Sequence, residues 1–169
     1  MADERILVID DEPGVRTALE GILEDEGFHV ESAGSGEEGL EKAVGERFDA
    51  VLLDVWLPGI DGLETLEKLQ AARVDTQVIM ISGHGNIDTA VRATKLGAFD
   101  FVEKPLSLEK TLLVLRNALR QRMLENRTRR LMRLLSRDTE IHGVSPAADR
   151  LRTRIAEAAS SDTPVLVLG

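Results

Sequence analysis

Short apolar runs alternate with helix-patterned stretches five times over the first 120 residues, and this alternation constrains the fold more than any other feature of the chain. ILVI (6–9), FHVESA (28–33), DAVLLD (49–54), QVIMIS (77–82) and FDFV (99–102) read as strands. The intervening stretches carry helix signals. Pro13 suits a first helical position, and VRTALEGILEDEG keeps apolar residues at helical spacing until Gly27. Ser35 and Glu38 form an S-x-x-E capping pattern that opens a helix to about Glu46. Leu63 to Ala72 places Leu63, Leu66 and Leu69 on one side, and Asn86 to Leu96 is helical, with Gly97 placed to end it. Ser107 caps a long final helix. Strands buried on both faces read as continuous apolar runs, as AVLL does here. Repeated β-α alternation therefore predicts an α/β fold: a doubly wound, five-stranded parallel sheet with right-handed crossovers and helices on both faces.

Sheets of this kind bind ligands at the carboxyl ends of their strands. The residues just past those ends are Asp10, Asp11 and Glu12, then Asp54, Ser82 and Lys104. Each alone has an ordinary explanation: Asp is a common turn residue, an Asp pair often opens a solvated helix, and Lys-Pro often marks a turn. Together, at successive strand ends, they describe one polar patch. Carboxylates crowded this way raise one another's pKa unless a cation intervenes. Mg²⁺ takes one or two carboxylate oxygens and keeps several waters. Asp11 and Asp54 are the expected direct ligands, with Asp10 bound through water and the backbone carbonyl of Trp56 supplying another position. Lys104 adds positive charge and Ser82 a hydroxyl donor, both suited to phosphate oxygens. Asp is an established nucleophile toward phosphoryl groups, and such transfer needs mainly positioning and charge neutralisation. Asp54, at the end of the third strand, is the nucleophile candidate.

With these residues in order, the chain resembles the receiver domain of two-component response regulators. The match rests on VIDDE (Asp10, Asp11), LLDVWLPGIDG (Asp54), MISGHG (Ser82) and FVEKP (Lys104, Pro105), and covers roughly residues 4–120. The resemblance implies a flavodoxin-like, CheY-like sheet, with Asp54 as phosphoacceptor and Asp10 and Asp11 as the acidic metal pocket. It further implies that Ser82 contacts the phosphoryl group, that Lys104 pairs with it, that Phe101 is the aromatic switch residue, and that the Lys104–Pro105 bond is cis. The phosphoryl donor would be a sensor histidine kinase, and the chain a self-modifying acceptor rather than a turnover enzyme. Trp56, two residues past Asp54, is expected to restrict water at the aspartyl phosphate and slow its hydrolysis; plain packing on the loop is the competing reading. Two fold-mates fit less well. A flavodoxin needs a phosphate-cradling loop after the first strand, where this chain has DDEPG, and a haloacid-dehalogenase-type phosphatase needs D-x-D, whereas Glu12 and Trp56 stand two residues past Asp10 and Asp54.

Charge divides the chain into parts. The net charge is −9, yet residues 1–115 carry −14, residues 116–137 carry +7 with eight Arg, and residues 138–169 carry −2. An acidic body argues against nucleic-acid binding by the first domain, and a basic helical stretch implies a separate job. There is no cysteine, so no disulfide or thiolate metal site. No apolar run approaches the ~20 residues of a membrane span, and MADERILVIDDE lacks signal-peptide character. A cytoplasmic protein without membrane contact is expected.

Leu112, Leu115, Leu119, Leu124 and Leu131 give the long final helix a heptad-like seam, read as a dimerising, coiled-coil-like linker. The same spacing also serves a helix packing back on its own sheet, above all for the early leucines. Beyond it, IHGVSPAADRLRTRIAEAASSDTPVLVLG resembles the opening of the AAA+ ATPase domain in sigma-54-dependent activators of the NtrC/NtrX type, with Gly169 as the first glycine of a phosphate loop whose Lys lies outside the sequence. The expected layout is a receiver over 1–120, a helical linker over 121–140 and an ATPase-domain fragment over 141–169. On this reading, phosphorylation controls assembly of a homodimer, and DNA and sigma-54 RNA polymerase are reached only through further domains. The rival reading is a phosphorylation-independent dimerisation scaffold that keeps the receiver fold.

Overall fold

The computed structural model describes residues 4–83, 87–138 and 145–159, the side chains of 135–138 excepted. The expected start of the fourth helix at Asn86, the last linker positions 139–140 and the PVLVLG strand (164–169) lie outside them. The chain forms two units, residues 1–125 and 126–169.

The first unit holds a five-stranded parallel sheet in the order β2-β1-β3-β4-β5. Its strands are β1 (Arg5–Ile9), β2 (His29–Ala33), β3 (Ala50–Asp54), β4 (Gln77–Ser82) and β5 (Asp100–Glu103). The helices between them are α1 (Pro13–Asp25), α2 (Gly36–Gly45), α3 (Gly62–Ala71) and α4 (Ile87–Lys95), followed by α5 (Leu108–Asp138). Adjacent strands are in parallel register, with Ile9 opposite Leu53 and Asp54 opposite Ile81.

The period-2 geometry of strands sorts the core into two layers. Leu7, Ile9, Val51, Leu53, Val78 and Met80 face one side, with Ala43 of α2, Leu66 and Leu69 of α3, and Ala93 of α4. Ile6, Val8, Ala50, Leu52, Ile79 and Ile81 face the other, with Leu19 and Leu23 of α1 and Leu112, Leu115 and Ala118 of α5. Both faces of β1, β3 and β4 are thus covered, which is why residues 6–9, 50–53 and 78–81 are continuous apolar runs. The strand order reverses between β1 and β3, and this opens a crevice at their carboxyl ends.

Local signals behave as their chemistry requires. Pro13 stands at the start of α1. The Ser35 hydroxyl accepts the Glu38 N–H at 3.2 Å, but the Glu38 carboxylate turns to the Gly34 N–H at 2.9 Å instead of closing a reciprocal box. Gly27 and Gly97 carry positive φ just past α1 and α4, where a side chain would strain the turn.

The leucine seam of α5 divides in two, which corrects part of the dimer reading. Leu112 and Leu115 are 8% and 0% exposed and belong to this unit's own core, with Leu119 packed against it. They fill the groove under α5, so they present no surface to a partner. Leu124 and Leu131 are exposed.

Arg122 departs furthest from the picture of a solvated basic helix. It is 9% exposed. Its Nη1 donates to the Phe48 carbonyl, while Nε lies 3.4 Å from Asp49 and Nη2 3.5 Å from Asp75. One turn on, Glu125 accepts from Gln77 Nε2 at 3.3 Å. These groups bind α5 to the segments entering β3 and β4. Removing a largely buried charge partner costs about 3–5 kcal/mol when the whole pair is buried. Asp49 and Asp75 keep contact with water, with side chains 34% and 54% exposed, so a smaller loss is expected. Arg122→Ala should lower the unfolding free energy by about 2 kcal/mol, while Arg120→Ala, on the exposed side, stays within about 0.5 kcal/mol. Paired urea denaturation curves check the contrast.

The second unit, residues 126–169, contains the remainder of α5 and α6 (Pro146–Ala159). The Ser145 hydroxyl accepts the Ala148 N–H at 3.3 Å, capping α6, and Leu151 and Ile155 lie exposed one turn apart. No described helix is long and apolar enough to cross a membrane.

Candidate functional site

The crevice is built from strand ends. Asp10 follows β1, Asp54 ends β3, Ser82 ends β4 and Lys104 follows β5. Parallel register brings these ends to one edge of the sheet. Asp10 and Asp54 are 0% and 3% exposed, unusual burial for carboxylates.

Their burial is compensated by Lys104. Its ammonium lies 2.7 Å from Asp54 Oδ2, 2.9 Å from Asp10 Oδ2 and 3.3 Å from Glu12 Oε1. Lys104 is itself placed by the sheet edge: its backbone N–H donates to the Ser82 carbonyl at 2.7 Å, and the Lys104–Pro105 bond that follows is cis. Asp54 Oδ1 accepts the Trp56 N–H at 3.2 Å, and Asp10 Oδ1 accepts the Glu12 N–H at 2.9 Å. Arg16 steadies the turn from behind by donating to the Asp10 carbonyl at 2.6 Å.

The balance of charge is negative. Burial pushes the Asp54 carboxyl above its ordinary range; Lys104 and the Trp56 N–H pull it back only in part, and Asp10 adds to the rise. Burial works against the Lys104 ammonium, yet Asp54 and Asp10 outweigh it and hold Lys104 above its ordinary value. Each group thus holds its proton more tightly than it would in water, as expected where acids outnumber bases.

Carboxylate oxygens of Asp10, Glu12 and Asp54 lie within 4.8 Å of one another, close enough to share a cation. Asp10 Oδ2 is buried and accepts no hydrogen bond of good geometry. That oxygen has as its close partner an ammonium already shared with Asp54 and Glu12, and with the excess negative charge this fits a hard divalent cation with oxygen ligands. Asp11, expected as a direct ligand, is exposed and lines the cavity above instead of joining this close trio. Glu12 completes the trio. The sequence places Glu12 with Asp10 and Asp11 past the end of the first strand, and so in the polar patch, but does not single it out as a ligand.

A cavity of about 610 Å³ opens over the cluster, lined by Asp11, Glu12, Asp54, Trp56, Gly83 and Lys104. Trp56 is 63% exposed along its wall. Ser82 is buried at the end of β4, and its neighbour Gly83 reaches the cavity. Phe101 is half-buried in β5 and packs against the layer covered by α2, α3 and α4. The loop after Asp54 closes tightly: Gly62 N–H donates to the Val55 carbonyl at 2.9 Å, and α3 begins at once.

A doubly wound sheet with buried acids and a lysine at its switch point defines a class, and comparison with known proteins agrees. Residues 6–116 match the Response regulator receiver domain family, and the chain belongs to it. Within that family it is similar to regulators of the NtrX type. It is 36% identical over 166 residues to the nitrogen assimilation regulatory protein NtrX of Azorhizobium caulinodans, an overlap covering 97% of this chain and 36% of that protein. The crystal structure of NtrX from Brucella abortus in complex with ATP superposes with a TM-score of 0.72 at 38% identity, over 94% of this chain and 35% of that one. The beryllofluoride-activated NtrC4 receiver domain dimer superposes with a TM-score of 0.67 at 41% identity, over 70% of this chain and 98% of that one. The chain spans about a third of the length of the NtrX relatives it matches.

Proposed function

We propose that this chain is a phosphorylation-controlled receiver in which Asp54 accepts a phosphoryl group from a sensor histidine kinase, with Mg²⁺ held by the acidic cluster, in the cytoplasm. The observation that carries this is the Lys104 ammonium 2.7 Å from a buried Asp54 carboxylate, beside a cavity open to a donor.

In the proposed transfer, a carboxylate oxygen of Asp54 forms the bond to phosphorus. The bond from phosphorus to the donor's imidazole nitrogen breaks, and its electron pair leaves with the imidazole. Lys104 exchanges part of its contact with Asp54 for the incoming phosphoryl oxygens, so the crevice gains negative charge next to a cation already in place. Asp10, Asp11, Glu12, Asp54 and the Trp56 carbonyl are the groups that would hold Mg²⁺, which when bound neutralises charge on carboxylate and phosphoryl oxygens. The Ser82 hydroxyl and Phe101 are the proposed sensors of the aspartyl phosphate, biasing a two-state surface.

The output is proposed to run through α5. Leu124 and Leu131, exposed on that helix, are the candidate dimer contacts, and the NtrC4 relative is itself described as a dimer. The receiver is proposed to extend past the expected 120 to residue 125, where the first folded unit ends, with 126–140 as linker and 141–169 as the start of a AAA+ domain, as in a sigma-54-dependent activator. DNA and polymerase would then be contacted elsewhere in that larger protein.

Incubation with Mg²⁺ and a small phosphodonor such as phosphoramidate, followed by intact-mass measurement, tests the reading. Wild type should gain one phosphate and Asp54→Asn none. No gain on wild type, or equal labelling of Asp54→Asn, would instead favour a phosphorylation-independent scaffold. The same preparation tests Trp56. If its indole shields the aspartyl phosphate, Trp56→Ala should lose the phosphate several-fold faster than wild type; equal decay leaves Trp56 as a packing residue.

A further inference from the structure

The loop that carries Trp56 is fixed at both ends by its own strand and helix. At one end Trp56 N–H meets the Asp54 carboxylate. At the other, the Asp61 side chain accepts the Glu64 N–H at 2.7 Å and caps α3. Its middle, Pro58 to Ile60, is secured from a different element. Glu37, in the first turn of α2, accepts the Ile60 N–H on Oε1 at 3.0 Å. The carboxylate lies against Gly59, whose φ is +81°; a Cβ there would collide with Glu37 Oε1 and approach its Cδ to 3.1 Å. Gly36, one residue earlier, is pressed on the same loop, since a Cβ at that position would come within 2.7 Å of Ile60 Cγ1 and 2.9 Å of the Ile60 carbonyl. Two glycines thus bring α2 and the loop together, and one glutamate joins them.

We infer that Glu37 is a positioning residue, a latch by which α2 holds the 56–60 loop and so sets the Trp56 carbonyl and the Asp54 carboxylate for cation binding. This rests on the proposed Mg²⁺ site. The contact is an ordered one: hydrogen bonds from Glu37's own backbone N–H and from Ile60 hold its carboxyl below the ordinary carboxylate range. An acid in the first turn of a helix also has a simpler role, favourable interaction with the helix dipole. The two roles respond differently to Gln, which keeps the accepting oxygen and removes the charge.

Trp56 is the only tryptophan, so its fluorescence reports on this loop alone. Mg²⁺ titrations of wild type, Glu37→Ala and Glu37→Gln, with urea midpoints measured on the same samples, provide the test. Supporting groups behind a metal site commonly change affinity by about 10–100-fold, and for this more distant latch Glu37→Ala should weaken Mg²⁺ by about tenfold while Glu37→Gln stays within about twofold of wild type. Affinity unchanged in Glu37→Ala overturns the latch alone, and so does equal weakening in Ala and Gln, which would mark a charge effect. Absence of any Mg²⁺ response in wild type overturns the metal reading, and the latch with it.

Discussion

Gly62→Ala should destabilise the receiver by about 3 kcal/mol or more, at the upper end of what overpacking costs. The added Cβ would overlap the Asp54 carbonyl oxygen and lie 2.8 Å from both the Asp54 carbonyl carbon and the Val55 Cα. All three are backbone atoms, so no side chain can rotate aside. Either α3 moves away from the sheet, which opens the core around Leu63 and Leu66, or the last residue of β3 moves, which displaces the Asp54 carboxylate. Gly21→Ala is the natural control. Nothing lies within 4 Å of a Cβ built there, in the interior of α1. Ala is favoured over Gly in a helix by up to about 1 kcal/mol, so that variant should be slightly more stable than wild type. Urea denaturation of both checks the pair. A Gly62→Ala protein within about 1 kcal/mol of wild type would show that this junction yields more easily than its packing implies.

Lys104→Met should cost about 3 kcal/mol at pH 7 without divalent cations, because it leaves the buried Asp10 and Asp54 with no ammonium between them. The pH dependence follows from the shifts. Lys104 titrates above its ordinary value in the folded chain, so its stabilising effect is complete below the ordinary lysine pKa and fades only as pH rises through the folded one. It therefore acts across the whole neutral range. Asp54 is raised as well, and for a carboxyl this means that its contribution is favourable below the ordinary carboxylate pKa and is lost as pH rises through the folded value. Ionised Asp54 is thus a burden on the metal-free fold, and removing Lys104 increases it. The deficit of Lys104→Met should shrink as the pH is lowered toward the carboxylate range. Mg²⁺ should restore stability at pH 7 in proportion to occupancy, about 2.7 kcal/mol at a hundredfold excess over Kd. Denaturation curves at pH 7 and pH 5, with and without Mg²⁺, decide it. An equal deficit at both pH values would assign the loss to packing of the lysine stem instead of to charge.

Much of this molecule is legible from its residues alone. Five apolar runs separated by helical patterns leave few topologies open, and the polar residues at their ends fall at one edge of any sheet so built. DAVLLD shows both properties at once: four apolar residues define a strand covered on two faces, and its final carboxylate lies at the switch point. What sequence hides is set by docking between elements. Gly62 reads as a turn glycine until α3 is placed against the Asp54 carbonyl. Glu37 reads as a helix-opening acid until the loop from another part of the chain meets it. Arg122 is one of eight arginines in a basic stretch, and spacing does not distinguish it from its exposed neighbours. Leu112 and Leu115 show the opposite ambiguity. Periods of 3.5 and 3.6 residues are indistinguishable over two turns, so a seam against the sheet and a seam against a partner look alike.

The clasp around Arg122 also defines where this module can be cut and transplanted. The family pattern stops at residue 116, but the folded unit runs to residue 125. A receiver severed at the earlier point would carry every group of the acidic crevice, yet leave the Phe48 carbonyl and the Asp49 and Asp75 carboxylates without their guanidinium and Gln77 without Glu125. A chimera joining this receiver to a different output therefore needs the extra helical turns as part of the donor, because the piece of α5 that would ordinarily be counted as connector still belongs to the receiver.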